Sequence, residues 1–209
     1  MSELSQTFTT DRIRILAIGG SVRTVSRNRV VTQALLDVAE EAGAETIFAD
    51  VRALDLPVYN EDIPLADQPA NLHWLIRQIQ AADGFIVESP NYHGTITGAI
   101  KNVLDAAHIM HGSDGSYFDG RPVGLASFGG PTSANVINAL YHAVRGMRGL
   151  VVPTTVAVTG NDLEMTGAEG RIVSDGVLTR ARSMVAEIIE IAELQRLRAA
   201  REVAAAAAD

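Results

Sequence analysis

The sequence predicts a doubly wound α/β domain with helices on both faces of a parallel sheet. Three observations carry that prediction. Short β-rich runs alternate with stretches whose apolar residues recur every three or four positions. The runs are punctuated by glycine, proline and serine, which turn the chain. The length, 209 residues, suits one α/β domain better than two.

The elements follow in order. Residues 13–19 read as a buried first strand ending in glycine, and 28–42 as a helix with Val31, Leu35, Val38 and Ala42 on one face, closed by Gly43. Residues 45–49 form the second strand, and a loop through 54–57 and 59–62 leads to a helix over 70–82. The third strand, 84–89, is stopped by Pro90, and 98–109 is helical. Turn formers fill 111–122 before a fourth strand at 123–127. A helix over 133–145 takes Ser133 as its N-cap, and 150–158 is the fifth strand. A polar loop over 160–170 precedes a final helix beginning near Gly176. The expected division is a tail at 1–11, a domain at 12–195 and a helical tail at 196–209, frayed at the alanine run 204–208.

Composition excludes several chemistries. Apolar residues make up 47% and charged ones 20%, so a sizeable core is available. The 17 Lys and Arg against 25 Asp and Glu leave a net charge of -8, which argues against nucleic acid as a partner. One positive pocket for a phosphorylated cofactor is still compatible with that balance. The absence of cysteine removes disulfides, thiolate metal sites and cysteine nucleophiles. The first ten residues are polar and no apolar run is long enough for a membrane span, so a cytoplasmic protein is expected.

In a doubly wound sheet, ligands bind beyond the carboxyl ends of the strands. The turn after the first strand, 19–28, reads GGSVRTVSRN. Two glycines permit a sharp turn with exposed amides, the following helix adds a partial positive charge, and arginine grips phosphate oxygens in a fork. A strand-to-helix turn with a capping serine would use some of the same residues. The Walker pattern and the G-x-G-x-x-G fingerprint are both missing, and Asp50, placed where a ribose-binding acid would stand, has no matching glycine loop.

The segment GSVRTVSRN resembles the G-S-x-R-x-x-S-x-N pattern of the NADPH-dependent FMN reductase family. That resemblance implies a flavodoxin-like fold with strand order 2-1-3-4-5, and FMN phosphate held by Ser21, Arg23, Ser26 and Asn28. Ser89, Pro90, Tyr92, Gly98, Lys101, Asn102 and Asp105 keep the family's S-P-E-Y-x-x-S-x-x-G-x-L-K-N-x-x-D run. Pro90, Asn91, Tyr92, His93 and Gly94 would then lie against the flavin ring. Asn91 departs from the pattern's acid, and Ala106 stands where an aromatic is common. Ser127, Gly129 and Gly130 in SFGGP resemble the family's third flavin loop. Leu56, Pro57 and 59–62 resemble an L-P-x-Y-x-x-D segment, read as packing and interface. The resemblance covers about 15–158.

Other constellations point to structure. His108 and His111, three apart, would need Asp114 as a third metal ligand, and a helix-end pair is the expected reading, with no metal. Lys101 and Asp105 suit an i,i+4 ion pair. His73 and His142 fit helix surfaces. No G-x-S-x-G elbow occurs. Met184, Ile188, Ile191 and Leu194 form an apolar stripe for core or oligomer contact.

The resemblance implies hydride transfer from NADPH or NADH to FMN and onward to a small-molecule acceptor, free flavin first and quinone second. Azo, nitro and metal-oxyanion acceptors also occur in the family. Because the cofactor carries the chemistry, no catalytic side chain is assigned, and amides of 91–94 are expected to stabilise the reduced ring. A flavin-dependent monooxygenase is the expected consumer of reduced flavin, and a homodimer or homotetramer with contacts over 98–111 is the expected assembly. Two other readings stay open: an electron carrier without its own substrate, disfavoured by the missing T-x-T-G-x-T run, and a dinucleotide binder using Asp50.

Overall fold

The computed structural model describes residues 12–113 and 116–207. The tail at 1–11 and Asp114 lie outside the described residues.

Five parallel strands form the sheet: β1 (Arg14–Gly19), β2 (Glu45–Asp50), β3 (Gly84–Pro90), β4 (Pro122–Phe128) and β5 (Leu150–Val158). Their order is β2-β1-β3-β4-β5, the flavodoxin-like arrangement. The register sets Ile15 against Thr46 and Gly84, and Phe85 against Val123. Strand side chains alternate between faces, and the sheet therefore builds two cores. Leu16, Ile18, Phe85, Val87, Val123 and Leu125 face one way, under α2 (Val51–Leu54), α3 (Ala70–Ala81), α4 (Gly98–Ala106) and α5 (Ser133–Gly146). Ile15, Ala17, Ile86, Ala126 and Val156 face the other, under α1 (Arg27–Glu41) and α6 (Asp175–Ala206).

Helix α6 sits close because β3 and β4 present glycines to it. A Cβ on Gly84 would stand 2.5 Å from Ile188 Cγ2, and one on Gly124 would stand 2.7 Å from Met184 Sδ. The helix is continuous to Ala206, and its buried side chains end at Ala192. Of the apolar stripe, Met184 and Ile188 are core, Ile191 is half-buried and Leu194 is exposed.

The amino-terminal edge of the sheet is fastened by arginines. Arg121 donates to the carbonyls of Phe118, Ile79, Ala82 and Tyr117, and its guanidinium lies 4.9 Å from the Phe85 ring centre. Burial pushes its pKa down to about 10. Arg196 reaches back from α6 to Asp83 at 2.6 Å.

Three expectations need correction. The polar loop over 160–170 contains a hairpin, β6 (Leu163–Thr166) with β7 (Glu169–Ile172), turning at Gly167 with φ 66. Each strand has only four residues, too few for alternation to stand out, and the hairpin is held from outside by packing on α1. Helix α4 ends at Ala106, and 107–110 tighten into a 3-10 turn. Ser133 is the first residue of α5 and not its cap, because the turn at 130–132 runs straight into the helix. Its buried Oγ has no hydrogen-bond partner among the described residues.

Candidate functional site

The turn between β1 and α1 is organised by its serines. Ser26 caps α1, its Oγ accepting from the Arg29 amide at 3.1 Å, while Ser21 Oγ donates to it at 2.9 Å. Both serines are buried, which shapes the turn from within. Arg29 pairs with Asp50 at 2.7 Å, and the Arg52 guanidinium donates to the Val22 carbonyl at 2.5 Å. Asp50 also accepts from the Arg52 amide at 3.1 Å as the cap of α2, so it is engaged in structure and unsuited to the ribose role weighed for it. The side chains of Arg23 and Arg27, by contrast, have no hydrogen bond or ion pair among the described residues. Asn28 Oδ1 is buried and likewise without a partner.

Beneath the turn lies a group that the sequence reading passed over. Glu88, near the carboxyl end of β3, is fully buried. Its Oε2 stands 3.1 Å from the Gly20 amide and 3.3 Å from Thr32 Oγ1, and its Oε1 has no hydrogen-bond partner among the described residues. Burial pushes the carboxyl up to about 8, against the lowering effect of the Gly20 amide, the Thr32 hydroxyl and the Phe128 amide. The acid within the strand, GFIVES, was the available signal.

The second loop is fixed at both ends. Tyr92 and Thr95 exchange backbone hydrogen bonds at 3.3 and 3.2 Å across His93 (φ 55) and Gly94 (φ 76). Two consecutive left-handed residues are the mark of a type I′ turn. Asn91 then ties this loop to the next: Nδ2 donates to the Gly129 carbonyl at 3.4 Å and to Thr132 Oγ1, while Oδ1 accepts from the Gly94 amide at 3.0 Å. The Gly94 N–H can only donate, which fixes the orientation of the amide. A carboxylate, the residue type of the family pattern, could not donate to Gly129. The amides of Tyr92 and Gly94, expected to face the flavin, are engaged within the loop. The His93 N–H has no partner among the described residues.

The third loop depends on close approach. A Cβ on Gly129 would fall 2.2 Å from Asn91 Cβ, so only glycine lets the two loops meet. Ser127 is fully buried and its Oγ donates to the Ser89 carbonyl at 3.0 Å, which places it in the sheet.

The three loops enclose a cavity of about 420 Å³. Ser21, Arg23, Ser26 and Asn28 line it from the first loop, Pro90, Asn91 and Tyr92 from the second, and Gly129 from the third. His93, Gly94, Ser127 and Gly130 are outside the lining. Arg27, in the same 19–28 turn, also lines the cavity, and Val25, Phe128, Met165 and Gly167 join the lining without a sequence motif of their own. Met165 and Gly167 come from the β6–β7 hairpin, which packs on α1.

A model of the NADPH-dependent FMN reductase family matches residues 13–162. The chain belongs to this family. Like other NADPH-dependent FMN reductases, it is an FMN- and NAD(P)H-dependent oxidoreductase in fold and sequence. It is 30% identical over 181 residues to an FMN-dependent NADPH-azoreductase of Staphylococcus saprophyticus, covering 83% of this chain and 92% of that one. Among solved structures it resembles FerB, an NAD(P)H:(acceptor) oxidoreductase of Paracoccus denitrificans. That TM-score is 0.70 at 20% identity, covering 87% of this chain and 97% of the other. An NADH:FMN oxidoreductase, EMOB, gives a TM-score of 0.66 at 19% identity over 84% and 88%.

Elsewhere, Lys101 and Asp105 form the expected ion pair, and Asn102 accepts from the Tyr59 amide at 2.8 Å while donating to the Pro57 carbonyl at 2.8 Å. His108 and His111 stack with ring centres 5.4 Å apart and both meet the Tyr117 hydroxyl, at 3.2 and 3.0 Å. No helix among the described residues is long and apolar enough to cross a membrane.

Proposed function

We propose that FMN binds in this cavity with its phosphate on the 20–28 turn and its ring against the loops after β3 and β4. The single observation that supports this is the convergence of three strand-end loops on one cavity lined by two guanidinium groups, Arg23 and Arg27, that are unpaired among the described residues. The chemistry fits the group. Arg23, Arg27 and the first turn of α1 offer positive charge and donors to a phosphate, whereas Tyr92, Phe128 and Met165 offer a flat and apolar wall to a ring.

When bound, FMN supplies the two-electron hydride chemistry. The protein's part is to bind, orient and exclude. Ser21 and Ser26 shape the turn, Asn91 holds two walls in register, and the hairpin carrying Met165 limits access of water. No side chain has to move a proton in the hydride step, and the catalytic assignment stays empty. The nicotinamide and the acceptor use the same open face in turn, which favours planar acceptors.

Free flavin is the proposed acceptor, with NADPH or NADH as donor. Azo compounds are the second reading, favoured by the activity carried in the name of the Staphylococcus relative. Steady-state oxidation of NADPH with FMN, riboflavin, a quinone or an azo dye as acceptor separates these. Fast turnover with free flavin supports the first, and turnover confined to the dye supports the second. Slow turnover with every small acceptor would favour an electron carrier. A monooxygenase partner requires the free-flavin result. We also propose self-association as a dimer or tetramer through the 98–111 segment, and a monomeric mass by light scattering would overturn it.

A further inference from the structure

We propose that Glu88 is a positioning residue that works as a neutral acid, bracing the phosphate turn through Gly20 and Thr32, and that the bound phosphate requires the proton on its carboxyl to stay. The proposal rests on the phosphate reading of the 20–28 turn.

The hydrogen-bond geometry argues for the proton. Thr32 Oγ1 lies 2.9 Å from the Asn28 carbonyl, which can only accept, and 3.3 Å from Glu88 Oε2. A hydroxyl has one proton to give. Directed at the nearer carbonyl, it leaves the Glu88 contact to be filled by a proton from the carboxyl. The chain of bonds then runs from Glu88 to Thr32 to Asn28, with the Gly20 amide donating to Oε2 at 3.1 Å. An ionised Glu88 would instead keep a full charge in a site without water contact, with only the Gly20 and Phe128 amides as donors and Oε1 without a hydrogen-bond partner among the described residues. Gly19 makes the arrangement possible, since a Cβ there would stand 2.5 Å from Thr32 Oγ1 and 3.1 Å from Glu88 Cβ.

Among the described residues no cation compensates a carboxylate here. From β1 the neighbours are Gly19 and Gly20, from β4 Ala126 and Phe128, and from α1 Asn28 and Thr32. The charged groups on adjoining elements are Arg27 and Arg29 on α1 and Asp50 on β2. Arg29 and Asp50 satisfy each other, while Arg27 lines the cavity. Burial already pushes the Glu88 carboxyl up to about 8. A phosphate dianion across the turn repels a second negative charge and raises it further. Glu88 thereby couples FMN affinity to pH.

The test is a set of fluorescence titrations of the full chain with FMN and with riboflavin, between about pH 7 and about pH 9.5, for wild type and Glu88→Gln. In wild type the FMN Kd is expected to rise roughly tenfold per pH unit above about pH 8, as one linked proton requires. Riboflavin, lacking the phosphate, should show no such slope, and Glu88→Gln should hold FMN with a flat profile. Parallel profiles for wild type and Glu88→Gln would overturn the proposal. Equal affinities for FMN and riboflavin at neutral pH would overturn the phosphate reading itself, a result distinct from a phosphate-dependent but slope-free affinity. Should Glu88→Gln fail to fold, calorimetry of wild type in two buffers of different ionisation enthalpy at about pH 8.5 decides. Uptake of about half a proton or more per FMN supports the assignment, and no uptake overturns it.

Discussion

The two ends of the central sheet treat polar groups in opposite ways. At the amino-terminal edge, Arg121 serves four backbone carbonyls and Arg196 closes on Asp83. At the carboxyl edge, Arg23 and Arg27 are unpaired among the described residues, and Asn28 Oδ1 and Glu88 Oε1 are buried without partners. An unsatisfied buried polar atom costs roughly 1–3 kcal/mol. Groups completed within the chain stabilise the fold; of the incomplete ones, Arg23, Arg27 and Asn28 line one cavity and Glu88 lies beneath the turn that borders it. The same residue type, arginine, does both jobs, and its partners distinguish them.

The comparison can be tested by breaking each end in turn. Arg121→Met at the completed end should lower stability by on the order of 3–5 kcal/mol, since several carbonyls lose their donor together. Urea unfolding measures it, and FMN affinity of the folded fraction should be unchanged. Glu88→Gln should do the reverse. The Glu88 carboxyl is raised from 4.5 to about 8 on folding. Across that interval the unfolded chain has released its proton and the folded one has not, so stability falls as pH rises. Relative to wild type, the glutamine variant should gain about 1.4 kcal/mol per pH unit in that window, roughly 4–5 kcal/mol by its upper end. Denaturant midpoints compared at pH values spanning the window would check it, and a constant difference would refute it. Arg23→Ala should weaken FMN binding by about 1.5–3 kcal/mol with stability unaltered, read by fluorescence titration. Asn91→Asp should cost about 1 kcal/mol in thermal unfolding and weaken FMN a few-fold, because the new carboxylate can accept from Gly94 but not donate to Gly129.

Much of the fold was legible because its signals are long. The strands are continuous apolar runs, the helices carry three to four turns of periodicity, and the first phosphate-like motif sits at a strand end where ligands bind. The site was legible wherever a motif residue itself lines the cavity, as with Arg23, Asn28 and Tyr92. Other parts depend on three-dimensional approach. Ser127 belongs to the SFGGP loop in sequence, yet alternation turns its hydroxyl into the sheet. Met165 and Gly167 reach the cavity only because a hairpin with four-residue strands folds back over α1. Glu88 occupies a strand position that reads as core, and only the neighbouring Gly19 and Thr32 reveal what it contacts. Asn91 looked like a loss of acidity, whereas its amide is the staple between two loops.

The I′ turn at His93 and Gly94, fastened by Asn91, has a thermodynamic corollary for recognition. Ordering a mobile loop around a guest would cost roughly 1–2 kcal/mol per residue in backbone entropy. A segment already locked in its final shape surrenders little freedom on association. The expense is met once, during folding, and encounter with the guest proceeds against a surface that is already made.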